Sequence, residues 1–90
     1  MNQARFQDFS EAYRVGLKEA VTKNPDAYLT QGASPEVYVK VVAKRMMAAI
    51  SEGRHMQNSY DSLGFRRACI KVGIKPTRKA ILAYLDIKAN

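Results

Sequence analysis

Seven lysine and arginine side chains lie within residues 54–79, where Asp61 is the only acidic residue. They are Arg54, Arg66, Arg67, Lys71, Lys75, Arg78 and Lys79. Guanidinium and ammonium groups bind phosphate and carboxylate oxygens, so this segment has the chemistry to hold a polyanion. Residues 1–53 carry seven basic and six acidic side chains, and residues 80–90 carry one of each. The net charge of +7 is therefore concentrated in one stretch, which favours a polyanionic partner. A solvated basic face with no partner is the alternative.

Other chemistry has little support in the residue types. The chain has one cysteine, Cys69, and one histidine, His55, so it cannot assemble a zinc site from these residues. No glycine-rich phosphate loop, nucleophile elbow or HExxH pattern occurs. Cys69 falls on a predicted inward face, where a buried structural thiol is the common case. We therefore expect no cofactor, no metal and no enzymatic activity.

Length and composition predict one domain, residues 1–90, of which 47% are apolar. A lone cysteine excludes a disulfide within the chain and suits a reducing compartment. No apolar run reaches the roughly 18 residues of a membrane span, and no signal-peptide pattern follows Met1. The sequence thus predicts a cytoplasmic protein that does not enter membranes.

The hydrophobic periodicity predicts an all-α fold, a small bundle of about four helices over residues 4–23, 34–52, 59–72 and 76–87. Asn24-Pro25 ends the first helix, because the residue before proline leaves the α region. Residues 24–33 are interpreted as a loop that Tyr28 and Leu29 pin to the core. In the third helix, the predicted buried face is Leu63, Phe65 or Ala68, Cys69 and Val72.

The second helix has the clearest boundaries and the most apolar surface. Ser34 suits its N-cap, Pro35 its first turn and Gly53 its left-handed end. Its polar side is limited to Lys40, Lys44, Arg45 and Ser51. A helix this apolar is expected at the centre of the fold, covered by other helices or by a second subunit. The second of these alternatives predicts a homodimer.

Residues 63–86, LGFRRACIKVGIKPTRKAILAYLD, resemble a generic helix-turn-helix motif, although no particular family is indicated. Gly73 suits the left-handed turn residue, Ile74 can fill the corner, and Pro76 or Thr77 can begin the next helix. One position departs from the common pattern. The sixth residue after the turn glycine is Lys79, whereas the next inward apolar residue is Ile81, so the turn is longer or the helices cross differently.

The resemblance implies that residues 76–87 form a recognition helix of a small DNA-binding regulator of transcription, with double-stranded DNA as partner. The expected nucleic-acid-binding residues are Arg54, Arg66, Arg67, Lys71, Lys75, Thr77, Arg78 and Lys79. The alternative is a protein-interaction module, a small helical inhibitor or adaptor, as small basic proteins of mobile elements often are. Such a module is expected to expose an apolar patch, for instance on the second helix.

Overall fold

A computed structural model describes residues 1–53 and 62–88, which contain five helices and no strand. They are α1 (Gln3–Lys23), α2 (Pro25–Tyr28), α3 (Pro35–Ser51), α4 (Ser62–Val72) and α5 (Arg78–Leu85). The predicted all-α fold is confirmed. The four predicted helices correspond to α1, α3, α4 and α5. The last is shorter than predicted, because it begins after Thr77 and ends before Asp86.

Local capping explains the ends of α3. Ser34 is its N-cap and accepts a hydrogen bond from the amide of Val37, while Pro35 occupies the first turn. Gly53 has a φ of 70° just after the helix, and its amide donates to the carbonyl of Ile50 at 2.9 Å. These are the boundaries that the residue types predicted.

The predicted loop 24–33 is wrong in its first part, where Pro25–Tyr28 forms the short helix α2. Pro25 stands at the start of this turn, and its carbonyl accepts from the amide of Leu29 at 2.8 Å. Proline ends a preceding helix but also suits the first turn of a new one, which explains the difference. Tyr28 and Leu29 are half-buried against the core, as predicted, and Tyr28 packs edge-on to Tyr38.

The central helix is α1, which corrects the expectation for the second predicted helix. It contacts each of the other four helices, whereas the main partner of α3 is α1. The apolar side chains of α3 are more numerous than one interface needs, so Val37 and Val41 stay exposed. α1 is central because it has a periodic face that is buried along the helix. The buried residues of this face are Phe9, Ala12, Tyr13, Gly16, Leu17, Ala20 and Val21.

α1 and α4 pack closely against each other. Gly16 of α1 is buried there, and a Cβ at this position would lie 3.0 Å from Cβ of Arg67 and 3.3 Å from the carbonyl oxygen of Gly64. Phe65 adds ring contacts at centroid distances of 4.7 Å to Tyr13 and 6.3 Å to Phe9. The two helices approach closely because glycine lies on both sides of their contact.

The buried face of α4 was predicted in part. Phe65, Ala68 and Cys69 are buried, and Val72 is half-buried. Leu63 was predicted to be buried and is 40% exposed. It lies on the opposite side of the helix, since Gly64 and Phe65 take the inward positions one turn before Ala68 and Cys69.

Residues at the start of α1 form hydrogen bonds with carbonyls at the end of α5. The Asn2 amide donates to the Leu85 carbonyl at 2.9 Å, and Nη1 of Arg5 donates to the Tyr84 carbonyl at 3.1 Å. The Arg5 guanidinium also lies 5.0 Å from the centroid of the Tyr84 ring. Two carbonyls that α5 cannot satisfy itself thus find partners in another element.

Candidate nucleic-acid interface

The turn between α4 and α5 is held by backbone hydrogen bonds around Gly73, whose φ is 81°. The Ile74 amide donates to the carbonyl of Cys69 at 2.9 Å, and the Gly73 amide donates to that of Ile70 at 3.2 Å. This pair of bonds is a Schellman motif, which needs a left-handed residue at the glycine position. Ile74 is half-buried against the core, as predicted for the corner of the turn.

Thr77 is the N-cap of α5, and its Oγ1 accepts from the amide of Ala80 at 3.1 Å. Of the two predicted starts, Thr77 as cap is therefore confirmed. Its hydroxyl oxygen already serves the helix, so the role of Thr77 in positioning α5 is structural.

Arg78 is turned toward the protein. Its Nη2 donates to the carbonyl of Gly53 at 2.9 Å, and its side chain is partly buried. Gly53 is itself buried at the end of α3. This bond connects the first residue of α5 to the end of α3, so Arg78 fixes the position of α5 and presents less of its charge to solvent.

Arg67 is also engaged within the fold. Its Nη1 lies 3.0 Å from Oε2 of Glu19 on α1, and its side chain is 25% exposed. The pairing neutralises much of its charge and holds α4 against α1. Within α1, Glu11 pairs with Arg14 at 2.8 Å.

The remaining described basic residues of the segment are exposed: Arg66, Lys71, Lys75 and Lys79. None of them forms an ion pair with residues 1–53 or 62–88. Lys71 lines a cavity of about 430 Å³ beside Asp8 and Glu11 of α1 and Tyr84 of α5. Arg54 lies outside the described residues. The structure thus divides the predicted set into four exposed cations, two engaged arginines and one capping threonine.

No acidic residue occurs between Ser62 and Leu85, where the six cations of α4, the turn and α5 are found. We name the exposed four, Arg66, Lys71, Lys75 and Lys79, the basic surface. The sequence identified all four, because clustered charge is visible without a fold. It missed the inward turn of Arg78 and the Glu19 partner of Arg67, which depend on contacts between distant segments.

Apolar side chains also reach solvent on α4. Ile70 is 69% exposed, and Leu63 and Arg66 share its outward side at helical spacing. A basic helix that also exposes isoleucine was not expected from the sequence. The signal was present, because helical periodicity turns Ile70 away from the inward positions Phe65, Ala68 and Cys69.

The described residues offer no group of three or more metal-ligating side chains. No helix among residues 1–53 and 62–88 has the length and apolarity needed to cross a membrane. Cys69 is fully buried, and burial raises the pKa of its thiol above the ordinary value. A buried, protonated thiol is a poor nucleophile, which agrees with a structural role.

Comparisons with protein-family models, with curated proteins and with solved structures return no match to this chain. The main backbone contacts of both α4 and α5 are with α1. The resemblance of residues 63–86 to a helix-turn-helix therefore stays a prediction.

Proposed function

We propose that this protein binds double-stranded DNA through the basic surface. One observation carries the proposal: residues 62–85 contain six cations and no acid, and four of those cations are exposed and form no ion pair with the residues that the structure describes. Phosphate contacts from such groups supply most of the affinity of non-specific binding and position a protein on the duplex.

The engaged residues support the same proposal by fixing where the exposed ones lie. Arg78 holds the start of α5 on α3, Thr77 caps that helix, and Arg67 ties α4 to α1. The Schellman turn at Gly73 then sets the spacing between the two helices. A rigid arrangement of cations loses less entropy on binding than the same cations on a loose chain.

The proposed role is regulation of transcription in the cytoplasm. A single cysteine, Cys69, that is free and buried suits that compartment.

Fluorescence anisotropy with a labelled duplex tests the proposal. Binding is expected at about 50 mM salt and should weaken steeply as salt rises. If the four exposed cations each contact a phosphate, the log–log salt slope is expected near −3.6, by the approximate −0.9 per contact. Absence of binding at about 50 mM salt contradicts the proposal. A protein partner that contacts the exposed Val37 and Val41 is then the alternative.

Single charge removals locate the interface. Replacing Lys75 or Lys79 with Gln is expected to flatten the slope by about one unit. The matched controls are Lys40→Gln and Lys44→Gln, which remove equally exposed lysines from α3. Equal losses in both pairs would show that general electrostatic attraction, and not the basic surface, holds the DNA.

A further inference from the structure

The most exposed large apolar side chain among the described residues is Ile70, in the middle of basic α4. Leu63 and Arg66 precede it by seven and four residues, so the three form one stripe along the outward side of the helix. Phe65, Ala68 and Cys69 occupy the opposite, buried side. Ile70 reaches solvent next to the Arg67–Glu19 ion pair, and the exposed cations beside it are Arg66 and Lys71.

α5, the helix that the sequence predicts to contact bases, presents fewer exposed groups that could contact DNA. α5 has eight residues, and its first arginine, Arg78, donates inward to the Gly53 carbonyl. Its outward side presents Lys79 and Ala83, and Asp86 follows directly after its last turn. The Asp86 carboxylate offsets the charge of Lys79 and is repelled by a phosphate backbone.

We infer that α4, and not α5, enters the major groove of DNA, with Ile70 against the C5-methyl groups of thymine. The inference rests on the proposed DNA binding and names the part of the surface that contacts bases. An α-helix fits the major groove, and apolar side chains there contact the thymine methyl. Arg66, one turn before Ile70, is placed to contact a neighbouring base edge or phosphate. The cations around the stripe complement the negative walls of the groove.

Two duplexes that differ only in this methyl group test the inference. One is an alternating dA·dT duplex, and the other replaces every thymine with deoxyuridine. The wild-type chain is expected to bind the thymine duplex about fourfold more tightly, the value of one buried methyl group. Ile70→Ala is expected to bind both duplexes equally while keeping the wild-type salt slope, because no charge is lost.

The matched control is Val37→Ala, which shortens an equally exposed aliphatic side chain on α3. It is expected to keep the thymine preference of the wild type. Since Ile70 and Val37 are both exposed, both variants should melt at the wild-type temperature.

The outcomes separate the two proposals. If neither duplex binds at low salt, the proposed function fails. If both duplexes bind but the wild type shows no thymine preference, or Ile70→Ala keeps that preference, the inference about α4 fails and DNA binding stands. If Ile70→Ala weakens binding to both duplexes by the same factor, the thymine preference is unchanged and the proposed thymine contact is wrong.

Discussion

Asp86 is the one non-glycine residue of the described chain with a positive φ, 58°. It follows the last turn of α5, where its amide donates to the Ala83 carbonyl and that of Ile87 donates to Leu82. This is a position that glycine prefers, and a carboxylate at a helix C-terminus is repelled by the helix dipole. Asp86 therefore destabilises the fold in two ways, through its positive φ and through its charge.

We expect Asp86→Gly to raise the free energy of unfolding by about 1 kcal/mol, since it removes both the Cβ and the charge. Asp86→Ala removes the charge and keeps the Cβ, so it should gain less. Thermal denaturation of the three chains measures the difference. An Ala variant as stable as the Gly variant would mean that charge alone is responsible.

The Cys69 thiol predicts a pH dependence. Because burial raises its pKa, the folded chain keeps the proton at a pH where the unfolded chain has lost it. The unfolded chain then binds fewer protons, so the free energy of unfolding falls as pH rises above the ordinary thiol pKa of about 8.5. The expected fall is at most about 1.4 kcal/mol per pH unit.

Urea denaturation at about pH 7.5 and pH 9.5 measures this fall, with Cys69→Ala as the comparison. The Ala variant is expected to be less stable at both pH values, through its cavity, but less sensitive to pH. The same pH sensitivity in both chains would assign the effect to other groups.

At the scale of the elements, the α1–α4 contact depends on Gly16. Alanine there would stabilise an isolated helix by about 1 kcal/mol. In this fold the new methyl group would meet Cβ of Arg67 and the Gly64 carbonyl oxygen, neither of which moves unless α4 moves. We expect Gly16→Ala to destabilise the protein by about 1–3 kcal/mol, by overpacking.

Urea denaturation tests this prediction, with Gln7→Ala as the control. Gln7 is exposed on the same helix, so its replacement changes helix propensity without touching α4. A Gly16→Ala variant at least as stable as the wild type would mean that α4 can shift at little cost.

The turn after α4 predicts a graded series at Gly73. A Cβ there would meet no atom within 4 Å, so any cost comes from the positive φ and not from crowding. We expect Gly73→Val to cost at least about 1 kcal/mol and Gly73→Asn to cost less, because Asn tolerates the left-handed region. Melting temperatures that do not distinguish Val from Gly would contradict the role of this φ.

The features predicted from the sequence were those with local causes. Ser34, Thr77, Gly53 and Gly73 each act within a few residues, and the clustered cations need no fold to be seen. What was not predicted depends on distant segments. Gly53 becomes the acceptor for Arg78 only after α3 and α5 come together. Leu63 could not be separated from Phe65 by periodicity alone, because each begins an apolar pair at helical spacing, Leu63 with Ile70 and Phe65 with Cys69.

At the scale of the whole molecule, the homodimer stays a prediction, and the exposed side chains of α3 indicate where a second copy would bind. Six apolar side chains of α3 are buried by the chain itself: Val39, Val42, Ala43, Met46, Met47 and Ile50. A second copy would therefore contact Val37 and Val41, one helical turn apart on the exposed side. Lys40, Lys44 and Arg45 lie around these valines and would repel their counterparts.

We expect self-association through this surface to strengthen with salt, because salt screens the repulsion between the two sets of cations. DNA binding should respond in the opposite direction. Sedimentation velocity at high micromolar protein, at about 0.1 M and 0.5 M salt, measures the first effect, with Val41→Lys as the variant that abolishes it. A monomer at both salt concentrations would contradict the predicted homodimer.

The hydrogen bond between Asn2 and Leu85 also has a topological consequence. Since it places Asn2 beside Leu85, a short flexible linker can connect the end of α5 to the start of α1, and the chain can be opened at the exposed turn around Gly32. Such a circular permutant is expected to keep the same five helices, as permutation succeeds at exposed turns between packed elements. It would separate the order of the helices along the chain from their arrangement in space, so that α3 could be made the first element without altering the surface that α4 presents.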